Sequence, residues 1–370
     1  MNKILPFNGK VLILIIIGLF LVDWGLNRYL DWRLLEKQDW RVNNPDLGSI
    51  RVVLDRLPRA PGLVVVCLGD SEMYGSSTPA DRTIPAYLAR SLREKFPGQK
   101  ITVINLGIKG LKPAEAYFLV RQLKKMPVDI LVYNISRGWF AEKGGVRFQD
   151  VLRLPGNAEA ARNLGIKVAE TSREEQLGEK VAAVWSFYRY RQVVARDFLH
   201  LSDLVQGTAE RSQAPQQWQQ KQQQQAGQGR PWQEKKEVLL KGAGGQLASL
   251  NLTTANLEWR LYLELLREWE NAGRPALVYA TPANMELLKQ KYKIDVQRWE
   301  KEKQQILAAA RRHNCRSLDY SQLIESKWFT DEIHLMAEGN RKVAEQLAQE
   351  LASLPAARAM DLLASRKRER

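Results

Sequence analysis

Leu63-Val-Val-Val-Cys67-Leu68-Gly69-Asp70-Ser71-Glu72 is the stretch on which the reading of this chain turns. A β-branched run of strand length, without a polar break, predicts a strand buried on both faces. It ends in a glycine followed by residues that start helices, so a tight strand-to-helix turn is expected at Gly69. Outward from this point, apolar runs alternate with helical periodicity. Further strands are expected over 101–104, 128–135, 276–280 and 316–319. Helical spacing is expected over 79–95, where Ile84, Leu88 and Leu92 recur, within 112–125, and over 255–270, 295–312 and 337–351. This alternation predicts an α/β class: a doubly wound sandwich on a mostly parallel five-stranded sheet. Ligands of such sheets bind beyond the C-terminal strand ends, which puts Ser71 at the ligand edge.

Composition narrows the chemistry. The chain has 370 residues, 45% of them hydrophobic, which supports a packed core. Two cysteines, Cys67 and Cys315, are too few for a disulfide framework or a cysteine zinc site. Cys67 reads as a core thiol within a strand, Cys315 as a residue at a strand start, and both as unpaired. The net charge of +15 is spread along the chain without a nucleic-acid motif, so no nucleic-acid partner is expected. No P-loop, G-x-G-x-x-G or metal-ligand cluster is present in the sequence, so neither a cofactor nor a metal is expected. An imidazole base has three candidates, His200, His313 and His334. His313 sits at a helix end, where a cation suits the dipole. His200 lies in an insertion and reads as structural.

Residues 11–22 (VLILIIIGLFLV) are uninterrupted apolar residues preceded by Lys3 and Lys10. No small-residue cleavage pattern follows. The run passes into Asp23, and Trp24, Tyr29 and Trp32 read as interfacial anchors. The expectation is an uncleaved single-pass signal anchor with a juxtamembrane helix over 1–40, the alternatives being a cleaved signal or a buried core helix, with the remainder of the chain outside the cytoplasm. Residues 41–60 read as a linker. Two parts of the α/β domain follow over 61–140 and 251–355, separated by an insertion over 141–250. Residues 181–199 of that insertion read as one amphipathic helix with an aromatic face. Eleven glutamines between 213 and 233 predict a flexible loop, because such a composition cannot bury enough apolar surface. Residues 356–370 form a basic tail.

Read alone, Asp70-Ser71 is equally a helix cap. A second signal lies in Asp331-Glu-Ile-His334, just before the last helix. An aspartate three residues before a histidine can orient the ring and stabilise its cation. The order Ser, Asp, His brings all three to one edge of a doubly wound sheet. On Gly69-Asp70-Ser71, on Asn105-Leu-Gly107-Ile-Lys-Gly110 and on Asp331-x-x-His334, the sequence resembles the SGNH/GDSL hydrolases. The resemblance covers roughly 62–139 and 255–352, with Glu72 where the name motif has leucine. It implies Ser71 as nucleophile, His334 as general base and Asp331 as its orienter. It implies an oxyanion hole from the Ser71 and Gly110 N–H groups, with Gly107 the fallback. The family's third-block asparagine is missing: Asn134-Ile-Ser-Arg137-Gly-Trp139 stands there instead. Arg137 falls nearest to the missing residue, and Asn134 is an alternative at the wrong offset. The N-terminal anchor, Ser71-Glu72, Ser136-x-x-Trp139-Phe140 and Asp331-x-Ile-His334-Leu335 are similar to the D-alanine transfer proteins of teichoic acid D-alanylation. They are similar in layout also to membrane-bound SGNH proteins of exopolysaccharide O-acetylation. These likenesses imply an esterase or O-acyltransferase acting on an acylated envelope polymer or carbohydrate, with a membrane acyltransferase as possible partner. The missing asparagine supports an alternative, a catalytically weak envelope scaffold that binds such an acyltransferase or a glycan.

Overall fold

The computed structural model describes residues 9–141, 144–198, 232–241, 249–292 and 294–354. His200, Trp218, most of the glutamine-rich stretch and the basic tail lie outside them. Five strands form one parallel sheet: β1 (Leu63–Gly69), β2 (Ile101–Gly107), β3 (Ile130–Ile135), β4 (Ala276–Ala280) and β5 (Arg316–Asp319). Their order is β2-β1-β3-β4-β5. The chain therefore winds one way from β1 to β2, and returns across β1 to build the other half. The crossovers that leave β1 and β3 go to opposite sides of this pair, which makes the switch point, with Ser71 directly beyond β1.

The side-chain period of two sorts β1 between two cores. Val64, Val66 and Leu68 enter one cluster, and Leu63, Val65 and Cys67 enter the other. The second core is closed by the helices Ile84–Lys95 and Ala337–Ala352, which pack on each other. The first is closed by Pro113–Leu123 and Leu257–Glu270. Several helices begin where the sequence supplies a side-chain cap. Thr83 Oγ1 accepts from Ala86 N, Asn256 Oδ1 from Glu258 N, and Asp295 Oδ1 from Arg298 N. Cys67 and Cys315 are both free and buried, and burial pushes both thiols up.

The stretch 41–60 is not a linker. Asp46 caps a helix, Leu47–Leu54, by accepting from Ser49 N at 2.7 Å. Ile50, Val52 and Val53 of that helix are completely buried in the first core. Burial on that scale contributes about 1.5–3 kcal/mol for each such side chain, so the segment is structural. The stretch 181–199 is not one helix either. The helix Arg173–Val184 stops at Trp185, whose backbone is extended, and Ser186–Arg189 begins a new turn.

One helix, Gly9–Asp31, continuing as a wider turn over Trp32–Glu36, is long and apolar enough to cross a membrane. Residues Val11 to Ile17 and Leu19 to Val22 are exposed along it, whereas Leu26, Leu30 and Leu34 are buried against the domain. Arg56 joins the parts. Its fully buried guanidinium donates to Asn27 Oδ1 at 3.2 Å and Tyr190 Oη at 3.1 Å, and pairs with Asp31 at 3.1 Å. Removing one member of a buried pair strands the other. Arg56→Ala should therefore lower unfolding free energy by about 3 kcal/mol. Arg59→Ala, which removes an exposed partner of the same Asp31, should cost less than about 1 kcal/mol. Denaturant melts of both variants in detergent check this, and equal small losses would refute it.

Candidate active site

Ser71 is the first residue of a four-residue helix, Ser71–Tyr74, that starts where β1 ends. Two glycines make this abrupt turn possible. A Cβ on Gly69 would stand 1.4 Å from Asn134 Oδ1, and one on Gly107 would stand 2.3 Å from Tyr74 N. β1 and β2 run in register to the Gly69–Gly107 pair, so the short helix lies against the end of β2. As the first residue of a helix, Ser71 has an N–H without an intrahelical acceptor.

Asp70 precedes it with a buried carboxylate that accepts four hydrogen bonds. Oδ1 takes Glu72 N at 3.1 Å and Asn134 Nδ2 at 2.8 Å; Oδ2 takes Ser136 Oγ at 2.5 Å and Trp139 Nε1 at 3.0 Å. Asn134 Oδ1 in turn accepts from Asp70 N at 3.2 Å. Glu72 points into the core. Burial, reinforced by the Asp70 charge, holds its carboxyl well above the usual range.

His334 arrives on a tight loop. Phe329 and Leu335 face each other in an antiparallel bridge, and Thr330 N and Oγ1 both donate to His334 O, at 2.8 and 3.1 Å. Ser77 Oγ meets Thr330 Oγ1 at 2.9 Å and ties this loop to the turn that carries Ser71. Within the loop Asp331 has two tasks. Its Oδ1 accepts Ile333 N at 2.9 Å and His334 N at 2.7 Å, which fixes the turn. Its Oδ2 lies 2.6 Å from His334 Nδ1, which fixes the ring. On the other side His334 Nε2 lies 2.8 Å from Ser71 Oγ. With Asp331 ionised, Nδ1 carries the hydrogen and Nε2 is free to accept the serine proton.

Electrostatics favour that arrangement. Burial alone would lower the His334 pKa, but the hydrogen bond and charge of Asp331, with Asp70, raise it above its ordinary value, while Lys109 opposes them. Burial pushes Asp331 up, yet its bonds to His334 hold it below the usual carboxylate range.

A cleft of about 260 Å³ opens beside Ser71, walled by Ser136, Arg137, Trp139, Thr281 and Trp299. The expected oxyanion donors fare unequally. Gly110 stands in the turn after β2 in a left-handed conformation, φ 75°. The fallback Gly107 has its N–H taken by Asn105 Oδ1 at 2.9 Å. Asn134 is held by Asp70, as above. Arg137 lines the cleft, but its Nε donates to Glu302 Oε2 at 2.9 Å, its Nη2 bonds the same oxygen, and its face lies over Trp299. Its fork is turned to Glu302, so its proposed replacement of the missing asparagine would need that pair to part. His313 stays at its helix end, with Nδ1 2.8 Å from Glu270 Oε2. Among the described residues no group of His, Cys, Asp and Glu is arranged to hold a metal ion.

Lys235 is the residue that sequence patterning missed. It belongs to the helix Trp232–Leu240 at the far end of the insertion, yet it is buried. Its Nζ bonds Phe329 O and approaches Met336 Sδ at 3.6 Å, on both sides of the Asp331–His334 loop. Burial lowers its pKa, and the Asp331 charge partly restores it. No local pattern distinguishes a lysine that will be buried by a partner a hundred residues away.

No protein-family model and no curated protein matches the chain. Solved structures with low similarity include a carbohydrate acetylesterase from Sinorhizobium meliloti, 11% identical, covering 79% of this chain and 99% of its own, at a TM-score of 0.35. An inhibitor-bound aryl esterase from M. Smegmatis is 12% identical over 79% of this chain and 99% of its own, at 0.36. An alpha/beta hydrolase enzyme from the metagenome of Lake Arreo, Spain, is 14% identical over 78% and 95%, at 0.36. Likeness of this degree carries no argument about activity.

The raised His334 pKa gives a signed prediction. The ring must be neutral to accept a proton, so activity should fall as pH drops through a midpoint above the ordinary 6.5. Lys109→Gln removes an opposing cation and should move that midpoint up. Asp331→Asn removes the main supporting charge and should move it down, with a large loss of rate. The pH profile of active-site labelling reads both, and shifts of the same sign would refute the assignment.

Proposed function

We propose that this chain is a membrane-anchored serine esterase or O-acyltransferase of the SGNH/GDSL type. The observation that carries the reading is the unbroken chain Ser71 Oγ–His334–Asp331, at 2.8 and 2.6 Å, beside an open cleft. Ser71 Oγ attacks the acyl carbonyl while His334 Nε2 takes its proton. The carbonyl oxygen gathers charge, and the Ser71 and Gly110 N–H groups receive it. The tetrahedral intermediate collapses, His334 returns the proton to the leaving alkoxide, and an acyl-serine remains. Water or a polymer hydroxyl then gives its proton to His334 and takes the acyl group, and His334 passes that proton to the departing Ser71 Oγ. Asp331 steadies the imidazolium in both halves.

The substrate proposed is an acyl ester of a cell-envelope polymer or carbohydrate, with the domain outside the cytoplasm. The apolar helix Gly9–Asp31 and the lysine before its run support this placement. A second reading, a scaffold that binds a membrane acyltransferase or a glycan, is favoured by one observation. Arg137 and Asn134, the two side chains nearest to the missing third donor, are both engaged elsewhere. One donor fewer costs on the order of 10²-fold in rate.

Fluorophosphonate labelling of the full-length protein in detergent separates the two. Ser71 should label, Ser71→Ala should not, and both Ser71→Ala and His334→Ala should lower ester turnover by on the order of 10⁴-fold or more. The double variant should be little worse, because the pair acts as a unit. An unlabelled wild type, with polymer acylation in cells unaffected by Ser71→Ala, would establish the scaffold instead.

Placement has its own test. Protease added to intact cells should degrade the domain. Full protection, with a C-terminal reporter active only in the cytoplasm, would overturn the topology.

A further inference from the structure

The break at Trp185 leaves an apolar corner exposed at a telling height. Val184, the last residue of Arg173–Val184, is 87% exposed, and Leu177, two turns earlier on the same face, is 64% exposed. The opposite face of that helix is the buried one, through Gly178 and Ala182. Directly after Val184, the Trp185 and Phe187 rings stack at 5.6 Å, with Tyr188 against Trp185 at 6.4 Å. These side chains are only partly buried. A cluster of this kind on a water-facing surface carries a hydrophobic cost that a partner would remove.

A single hydrogen bond sets the corner's level. Phe187 N donates to Asp23 Oδ1 at 2.6 Å. Asp23 is the first polar residue after the apolar run that ends at Val22. Phe187 therefore sits beside the level where that run ends, and Val184 is three residues away from it along the chain. The polar layer on each side of a bilayer's hydrocarbon is about 5–7 Å deep. Trp24, 66% exposed, lies at the same level on the anchor helix. The charges agree with this setting. Lys180 and Arg191, which flank the corner in sequence, are exposed, and Arg191 covers the Tyr188 ring at 4.2 Å. Glu174 and Glu175 stand at the far end of the helix. Basic residues of this kind suit an anionic lipid surface.

We propose that the Val184–Tyr188 corner is a second membrane contact, lying in the interfacial layer of the bilayer that Gly9–Asp31 crosses. This rests on reading that helix as a membrane span. The occupant is lipid because the patch is continuous with the apolar run through the Asp23–Phe187 bond. The corner adds a second point of support beside the span, which restrains the domain from tilting.

Site-directed spin labels on the full-length protein, reconstituted into vesicles of phosphatidylcholine and phosphatidylglycerol, test the proposal. Cys67 and Cys315 are buried, which directs the label to the introduced cysteine. Three single variants suffice: Val184→Cys, Ile17→Cys as the hydrocarbon reference and Gln349→Cys as the aqueous one. All three replace exposed side chains. The Val184 label should be open to oxygen, shielded from a water-soluble nickel chelate, and intermediate in depth between the two references. If it matches the Gln349 label while the Ile17 label is deep, the corner is in water and the proposal fails, with the span intact. If it is shielded from both reagents, a protein covers the corner and lipid is excluded. If the Ile17 label itself reports water, the span fails and the proposal with it.

Discussion

A carboxylate buried at the end of a strand must be met by donors, because stranding its charge in a core costs several kcal/mol. At Asp70 that requirement organises the whole upper edge of the sheet. Its four donors come from the Ser71 turn, from the last residues of β3 and from the turn that follows them. One side chain thus caps the short helix that presents Ser71 and binds β1 to β3 at the switch point. It also holds Trp139 as a wall of the cleft. A hydrogen bond to a charged group contributes about 1.5–3 kcal/mol, and here four such bonds act on one turn. The serine's position is held from below, by groups that take no part in the proposed chemistry.

The histidine is held differently. Its loop has no regular strand to lean on, so local bonds replace one. Asp331 Oδ1 closes the turn while Oδ2 holds the ring, and Thr330 grips the carbonyl of His334 from the other side. The two halves of the site then meet through Ser77 and Thr330. Lys235 adds a contact from the insertion, so the chain between β3 and β4 reaches the histidine loop as well as the cleft wall. The insertion is therefore a structural neighbour of the proposed base.

How much of this is legible in the residues alone depends on the range of the interaction. β1 and β4 are legible because unbroken β-branched and apolar runs leave few options, and all five strands lie where the pattern places them, within a few residues. The approach of Ser71, Asp331 and His334 follows from the topology, since strand ends converge. The stretch 41–60 reads wrongly as a linker because its apolar residues are broken up by arginines and prolines, and the helix they form is buried against parts far along the chain, 149–153 and 191–193. The 181–199 periodicity looks continuous, yet Trp185 breaks it. The roles of Asn134 and Arg137 are beyond local reading. Each is decided by a partner far along the chain, Asp70 for one and Glu302 for the other. The same holds for Lys235.

The near-collision at Gly69 has an evolutionary corollary. Even the smallest side chain there would occupy the space of the Asn134 amide, so a substitution at 69 must push that amide aside while asparagine remains at 134. Asn134 is equally constrained, since it closes the reciprocal bonds with Asp70. The two positions form a lock in which neither mutates first without loss. In divergent relatives of this chain, a residue other than glycine at the first position should occur only beside something smaller than asparagine at the second, and the pair should be inherited together.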